Sequence, residues 1–248
     1  MSVSTRPPVR PAVMWHDVEC GTYAADLPLW RRLAREADGP VLDVGAGTGR
    51  VALVLARAGR RVTALDLDAE LLAALSERAA SAGVDVSVVH ADARDFVIPG
   101  AAFALIAVPM QTIQLLPDAP ARARFFASAR RALAAGGRVA LALAETPAPF
   151  EEPGALPAAD VGDAGGWRFV SQPLAIRLGP DTWTIERARH LVAPDGSRVI
   201  ENDRIELAAL TAGGLAAEGV AAGLAAEPPE HVAETEDHVG SEVVILRG

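Results

Sequence analysis

Val41-Leu42-Asp43-Val44-Gly45-Ala46-Gly47-Thr48-Gly49-Arg50 is the stretch whose reading decides the fold. A short apolar run carrying one acid turns through three alternate glycines and enters the apolar segment Val51-Ala52-Leu53-Val54-Leu55-Ala56. Glycine at such positions lets the chain turn tightly and lets a ligand lie directly against main-chain N–H groups. The spacing is Gly-x-Gly-x-Gly, one residue short of the dinucleotide fingerprint Gly-x-Gly-x-x-Gly. In place of that third glycine stands Arg50, which argues against close helix–strand packing of the dinucleotide type. Asp43 would sit awkwardly beside a pyrophosphate but can accept a hydrogen bond from an ammonium group. A NAD-dependent oxidoreductase is therefore the remote reading.

Working outward, apolar strands alternate with helical patterns. Strands are expected at 41–44, 61–65, 86–90, 104–108 and 138–144, and helices at 50–58, 69–82 and 119–133. A single helical pattern precedes them over 15–37, behind a flexible proline-rich lead to about residue 14. After Glu145 the stretch 146–166 has no apolar period and reads as a lid or linker loop. Antiparallel-type strands then follow at 167–170, 175–178, 182–191 and 197–207, with Pro194-Asp195-Gly196 as a hairpin turn. A glycine-weakened helix at 210–219 and strands at 220–226 and 242–246, joined by an acidic loop, close the chain. The expected class is α/β: a doubly wound, Rossmann-like sheet of seven strands, mostly parallel with an antiparallel last strand. It carries an N-terminal helical cap and a β-rich insert. The corresponding segments are 1–38 for lead and cap, 39–145 for the cofactor-binding core, 146–207 for the insert, and 208–248 for the closing elements.

Composition narrows the function. The 248 residues suffice for one α/β domain with an elaboration. No apolar run approaches the roughly 20 residues needed to span a bilayer, and the first residues lack the apolar segment of a secretory signal. A cytoplasmic protein without membrane association is expected. Cys20 is the lone cysteine, which excludes an intramolecular disulfide and a cysteine-cluster metal site; no metal is expected. The net charge is −9, and from Glu201 to Gly248 ten acids face two arginines. Nucleic-acid binding rests on a basic footprint, so an RNA or DNA partner is not expected. Every basic residue except histidine is arginine, a composition that suggests a high-GC bacterial genome.

Four features then fall in order on successive strand ends, where a doubly wound sheet binds its ligand. The glycine loop with Asp43 comes first. Asp66, in Leu65-Asp66-Leu67-Asp68, is placed to accept both ribose hydroxyls of an adenosine. Asp92, in His90-Ala91-Asp92-Ala93, is placed to accept an adenine amino group. Val108-Pro109-Met110-Gln111 would face the reacting part of the ligand.

This ordered set resembles the class I S-adenosylmethionine-dependent methyltransferases of the small-molecule type, over roughly residues 15–144. The resemblance rests on the segments VLDVGAGTGR, TALDLD, HADARDF and LAAGGRVALAL. It implies S-adenosyl-L-methionine as cofactor, held by Tyr23, Asp43, Gly45, Ala46, Gly47, Thr48, Gly49, Asp66, Leu67, Asp92, Ala93, Val108, Met110 and Gln111. Within that set Tyr23 matches a position that often closes over the methionine end. Members that methylate nucleobases or protein glutamine carry Asn/Asp-Pro-Pro-Tyr/Phe after the fourth strand. Here Val108-Pro109-Met110-Gln111 stands there, and the chain's one asparagine is Asn202.

Methyl transfer from a sulfonium needs mainly positioning, with a general base where the acceptor is a hydroxyl or an ammonium. Glu145, His190 and His16 are the candidate bases, with Glu145 at the end of the fifth strand. His231 and His238 flank the acidic loop and read as solvated. Gln111 and Gln114 read as polar groups facing cofactor or substrate. The expected activity is methylation of an oxygen or nitrogen, less readily a carbon, of a small-molecule acceptor by a monomer or homodimer. A non-catalytic protein binding S-adenosylmethionine or its homocysteine product on the same fold is the alternative.

Overall fold

The computed structural model describes residues 10–152, 154 and 156–248; the first nine residues of the expected lead, and residues 153 and 155 of the expected loop, lie outside them. Two compact units emerge. One comprises residues up to Tyr23 with Pro147–Glu206; the other comprises Ala24–Thr146 with Leu207–Gly248.

The larger unit is built on a seven-stranded sheet: β1 (Val41–Val44), β2 (Val62–Asp66), β3 (Val86–His90), β4 (Phe103–Val108), β5 (Leu133–Ala144), β11 (Ala225–Val232) and β12 (Ser241–Arg247). Its strand order is β11-β12-β5-β4-β1-β2-β3. The first five strands run parallel, and β12 is antiparallel to both β5 and β11. The chain moves outward from β1 to β3 and returns to lay β4 beside β1, which makes the carboxyl ends of β1 and β4 the point where strand order reverses.

Alternate residues of each strand face opposite layers. On β1, Val41 joins one buried cluster with Trp30, Val51, Leu55 and Leu75, and Leu42 and Val44 join the other with Phe96, Phe125 and Phe126. The helices in these layers are α2 (Leu27–Glu36), α3 (Arg50–Arg57), α4 (Ala69–Ser81), α5 (Ala119–Ala132) and α6 (Ala212–Ala221). Asp68, Asp118 and Thr211 cap α4, α5 and α6, each side chain accepting amide hydrogens of the first turn.

The smaller unit pairs α1 (Pro11–His16) and a π-helical turn, Asp17–Gly21, with an antiparallel sheet of β6 (Phe150–Glu151), β7 (Asp160–Ala164), β8 (Trp167–Leu178), β9 (Thr182–Val192) and β10 (Arg198–Ala208). The order is β10-β9-β8-β6, with β7 also on β8. Its apolar core joins Trp15, Val18, Trp167 and Phe169, with Trp15 edge-on to Phe169. Burial raises Glu19, but the Arg189 fork at 2.7 Å on both oxygens and the Ser171 hydroxyl at 2.8 Å win and hold it below its ordinary value.

Five sequence expectations need correcting. The lead becomes helical at Pro11, whose ring fits the first helical turn. The 15–37 pattern is broken by the π-turn and residues 22–26, and α2 restarts at Leu27-Pro28. The stretch 146–166 holds β6 and β7, which pair with β8 despite lacking an apolar period. The two strands at 167–170 and 175–178 are one, irregular in register between Pro173 and Ala175, where proline cannot donate to the ladder. The strand at 220–226 is the end of α6, then Gly223 at φ +88°, then β11. That strand extends to Val232 through Pro228-Pro229 because it is an edge strand and its register shifts there.

Helix α6 lies close on β12 through a glycine: a Cβ on Gly219 would come within 2.3 Å of Leu246 Cδ1. Gly219→Ala should destabilise the chain by about 1–3 kcal/mol through overpacking. Gly213→Ala in the same helix, where a Cβ meets nothing within 4 Å, should stabilise it by about 0.5–1 kcal/mol. Denaturant melts of both variants check the contrast.

Candidate functional site

The loop after β1 is shaped by close approaches. Gly45 has φ +70°, and a Cβ there would stand 2.5 Å from Thr112 Cγ2, so only glycine lets the turn after β4 lie against the turn after β1. Gly49 has φ +97°, and its Cβ would meet Leu75 Cγ at 2.8 Å. Thr112 is itself fixed, its hydroxyl donating to the Pro109 carbonyl at 2.9 Å. The Gly45 and Ala46 amides donate to the Leu65 carbonyl at 2.9 and 3.1 Å, tying the loop to β2. Thr48 is buried inside it.

Asp66 ends β2 with both oxygens already oriented. Oδ2 accepts the Gly47 amide at 2.7 Å and Oδ1 the Asp68 amide at 2.9 Å. A carboxylate oxygen has two lone-pair sites, so each keeps one for a further donor such as a ribose hydroxyl. Beside it Leu67 is 65% exposed, an apolar side chain presented to solvent. The ring of His90 holds the Leu67 carbonyl through Nε2 at 2.9 Å.

Asp92 follows β3. Its carboxylate is gripped by Arg94, with Nε at 2.9 Å from both oxygens and a terminal nitrogen at 2.5 Å from Oδ2, and it accepts the Arg94 amide at 2.8 Å. That fork holds it below its ordinary pKa. An amino group arriving at Asp92 shares the carboxylate with Arg94. Ala93 lies in the same turn, half-buried.

Past β4, Val108 is buried and Met110 has φ +54°. A non-glycine residue in that region carries strain of order 1–3 kcal/mol, and such positions cluster at functional sites. Gln111 follows, half-buried, at the start of the 3-10 turn Thr112–Leu115. Gln114 is a strut: its Nε2 donates to the Ala208 carbonyl at 3.4 Å and its Oε1 accepts the Ala144 amide at 2.9 Å. The expectation that it faces a ligand gives way to that buried role. Glu145 leaves β5 half-exposed, 3.6 Å from His231 Nδ1 on β11.

Asp43 stands out. It is 1% exposed, and no side chain hydrogen-bonds either carboxylate oxygen. Burial pushes its pKa up to about 7, while the Arg50 guanidinium and the Ala52 amide pull it down and Asp66 and Asp26 push it up. Sequence reasoning missed what surrounds it. Arg50 grips Asp26 at 2.5 and 2.7 Å, and Trp30 Nε1 donates to Asp26 at 2.8 Å. One signal was available: a cation in the first turn of α3 opposes the helix dipole, so it calls for acidic partners.

Thus Asp43, Gly45–Gly49, Asp66, Leu67, Asp92, Ala93, Val108, Met110, Gln111 and Glu145 all lie at the carboxyl edge of one sheet. Tyr23, His16 and His190 belong to the smaller unit, where Tyr23 is buried, His16 closes α1 and His190 pairs across β9 with Val170. Among the described residues there is no metal-ligand cluster and no helix long and apolar enough to cross a membrane.

Comparison with known proteins bears on this edge. A family model described as a methyltransferase domain matches residues 41–137. An rRNA adenine N-6-methyltransferase of Corynebacterium diphtheriae is 36% identical over 67 residues, 27% of this chain and 26% of that protein. The ribosomal RNA small subunit methyltransferase A of Rhodopseudomonas palustris is 36% identical over 100 residues, 36% of this chain and 35% of that protein. The chain thus spans well under half the length of these curated relatives. Among solved structures, the sugar N-methyltransferase KedS8 of Streptoalloteichus is similar over 100% of this chain and 99% of its own, at 22% identity and TM-score 0.72. The amino pentose methyltransferase CalS10 of Micromonospora echinaspora, solved with S-adenosylmethionine bound, is similar over 99% and 100%, at 19% identity and TM-score 0.70.

Residues 41–137 match the model of a methyltransferase domain, and the chain's fold is similar to that of solved S-adenosylmethionine-dependent methyltransferases. The cofactor this implies fits the residues present. Asp66 keeps acceptor sites for a ribose, Leu67 offers an apolar face, and the orphaned Asp43 carboxylate suits an ammonium.

Asp43 also carries a stability signature. Its folded pKa lies near 7 and its unfolded value near 3.8, so the unfolded chain ionises first. Stability is therefore full below pH ~3.8 and lost as pH rises through 7, by on the order of 4 kcal/mol. Asp43→Asn should melt above the parent at pH ~8 and level with it near pH ~4, as followed by thermal denaturation across that range.

Proposed function

We propose, from the methyltransferase domain at residues 41–137, that this chain moves a methyl group from S-adenosylmethionine to a nitrogen or oxygen of a small molecule. The observation that carries the reading is the pairing of two carboxylates around one glycine loop. Asp66 is held by the Gly47 and Asp68 amides, and Asp43 is buried with no side-chain partner. Asp66 takes the ribose hydroxyls, Asp43 takes the methionine ammonium, and Leu67 flanks the adenine. When bound, the cofactor supplies an electrophilic methyl on a sulfonium. Met110 and Gln111, at the strand-order reversal beside the loop, border the acceptor. Their role is to orient it, since holding donor and acceptor in line supplies much of the rate. Glu145, His190 and His16 remain the candidates for holding the acceptor's proton; Glu145 shares the carboxyl edge with the loop.

A compact acceptor is favoured over RNA on three grounds. The net charge of −9 gives no basic footprint. The segment after β4 is Val108-Pro109-Met110-Gln111 rather than the pattern of base-methylating members. The structures similar over nearly the whole chain include a sugar N-methyltransferase and an amino pentose methyltransferase, whereas the rRNA methyltransferases are alike over only 27% and 36% of it.

Calorimetry with S-adenosylhomocysteine should show binding that Asp66→Ala weakens by about a hundredfold, the worth of two hydrogen bonds to a charged group. Turnover over a panel of amino sugars, small amines and alcohols, with an adenine-containing rRNA fragment as a further arm, should release homocysteine product with a small acceptor. Turnover on RNA alone would overturn the small-molecule reading, and binding without any turnover would leave a cofactor-binding protein.

A further inference from the structure

The carboxyl edge holds a pair of titratable side chains that the cofactor does not use. Glu145 follows the end of β5, and His231 lies near the end of β11, the edge strand two places away. Pairing sets His231 opposite Glu242 of β12, and Glu242 opposite Leu143 of β5. The Glu145 amide donates to the Gly240 carbonyl at 3.0 Å, which brings Gly240 beside Glu145. Opposite residues, and alternate residues of one strand, share a face, so Leu143, Glu145, Gly240, Glu242 and His231 lie on the same side of the sheet. Gly240 is the gap between the two titratable groups: a Cβ there would stand 3.0 Å from the Glu145 carboxyl carbon and from Oε2. Across that gap Glu145 Oε1 comes within 3.6 Å of His231 Nδ1. A carboxylate from β5 thus crosses the start of β12 to meet an imidazole on β11.

A half-exposed pair of this kind adds little stability, so its place matters more than its strength. Ala144, next to Glu145, has its amide held by Gln114 Oε1 at 2.9 Å. Gln114 sits in the turn Thr112–Leu115, which follows Gln111 and closes on Gly45 through Thr112. The pair is therefore tied to the turn that borders the proposed acceptor position, and all of it belongs to the larger unit. Its surroundings are acidic. Glu242 stands opposite His231, Glu234, Glu236 and Asp237 follow with His238 in the loop to β12, and no arginine occurs between His231 and Leu246. Helix α6, packed on β11 and β12, brings one charged residue, Glu218, whose carboxylate is committed to Arg122.

We propose that His231 takes the proton of the methyl acceptor, and that Glu145 is the positioning residue that holds its ring. The proposal rests on methyl transfer as read above and names the base that the reaction uses. The acceptor's nitrogen or oxygen gives a lone pair to the new bond with the methyl carbon. The carbon–sulfur bond breaks with its electron pair left on sulfur, and the proton leaving the acceptor passes to Nε2 of His231. With Nδ1 turned to Glu145, the ring is held as the Nδ1–H tautomer, in which Nε2 carries the lone pair. The Glu145 carboxylate then offsets the charge of the imidazolium that forms. Both side chains open on solvent, which receives the proton before the next turnover. The 3.6 Å approach suits a pair without substrate, since such contacts are often long until the complex forms.

The test joins a spectrum to turnover, both on the full chain. In nitrogen–proton correlation spectra of the imidazole rings at pH about 8.5, where an ordinary ring is neutral, the His231 signal is identified by its loss in His231→Ala. It should report the Nδ1–H tautomer. Glu145→Ala should release that tautomer, and so should Gly240→Ala, which keeps both groups and only displaces the carboxylate. Glu145→Gln, whose amide oxygen still accepts from Nδ1, should keep it. On the small acceptor that the panel identifies, His231→Ala should lower kcat about a hundredfold or more, with KM and S-adenosylhomocysteine affinity little changed, and added imidazole should restore part of it. Glu145→Ala should lower kcat about tenfold, and Glu145→Gln by less. A parent ring in the Nε2–H form, or a tautomer indifferent to Glu145→Ala, overturns the proposal. So does full turnover by His231→Ala, including the case in which only the Glu145 variants are inactive and the carboxylate is itself the base. In a chain that turns over, those results overturn this proposal alone. Binding of S-adenosylhomocysteine without turnover by the parent overturns the transfer reading with it, and absence of binding overturns the cofactor reading as well.

Discussion

A carboxylate buried without a side-chain hydrogen bond is the constraint around which this site is arranged. Asp43 sits on an interior strand of the sheet, on the same face as Val41, where its paired positions on the neighbouring strands are alanines. Ordinary folding has no use for such a group, because burying a charge without a partner costs several kcal/mol and the carboxyl protonates instead. What surrounds it limits that cost without removing it. The Arg50 charge pulls the carboxyl's pKa down, and two of its nitrogens fork onto Asp26. The result is an acid poised between its two forms at the base of a loop whose backbone is open to a ligand.

The rest of the edge follows from how closely the chain approaches itself there. Returning from β3 to β4 beside β1 brings Thr112 against Gly45, and no side chain fits between them. The same return leaves Met110 in a left-handed conformation held by the Pro109–Thr112 turn. On the other side, the Gly47 amide spans from the loop to Asp66 and fixes the carboxylate that ends β2. Glycines therefore do two jobs: they admit a turn and they carry the amide that orients an acid.

Much of this was legible in the sequence, for a local reason. The five parallel strands, their helices and the three acids at strand ends are written in short periodic runs, and β1 and β3 fall where those runs place them. What escaped depends on partners far apart. Asp26 and Arg50 are 24 residues apart, and Glu19 and Arg189 are 170 apart, so no window shows them together. The strand β7, Asp160-Val161-Gly162-Asp163-Ala164, lacks an apolar alternation because its pairing to β8 is secured by backbone bonds and the two-glycine turn that follows. Gln114 looked like a ligand contact because its type and position suited one. Its burial between the Ala144 amide and the Ala208 carbonyl is a tertiary fact.

Charge at the loop selects among nucleoside ligands more sharply than glycine spacing does. A helix N-terminus behind a glycine turn is a ready anion site, and in dinucleotide domains it takes a pyrophosphate. Here three carboxylates, Asp26, Asp43 and Asp66, gather around the start of α3, with one arginine among them. A pyrophosphate would meet that excess of negative charge at short range in a poorly solvated place, where repulsion is strong. A ligand bearing an ammonium and a sulfonium meets attraction instead, and its ribose still finds the acceptors of Asp66. The departure from Gly-x-Gly-x-x-Gly and the acid in β1 are thus two aspects of one selection. The position that close packing would reserve for a small residue is given to Arg50, the cation that makes a buried Asp43 tolerable.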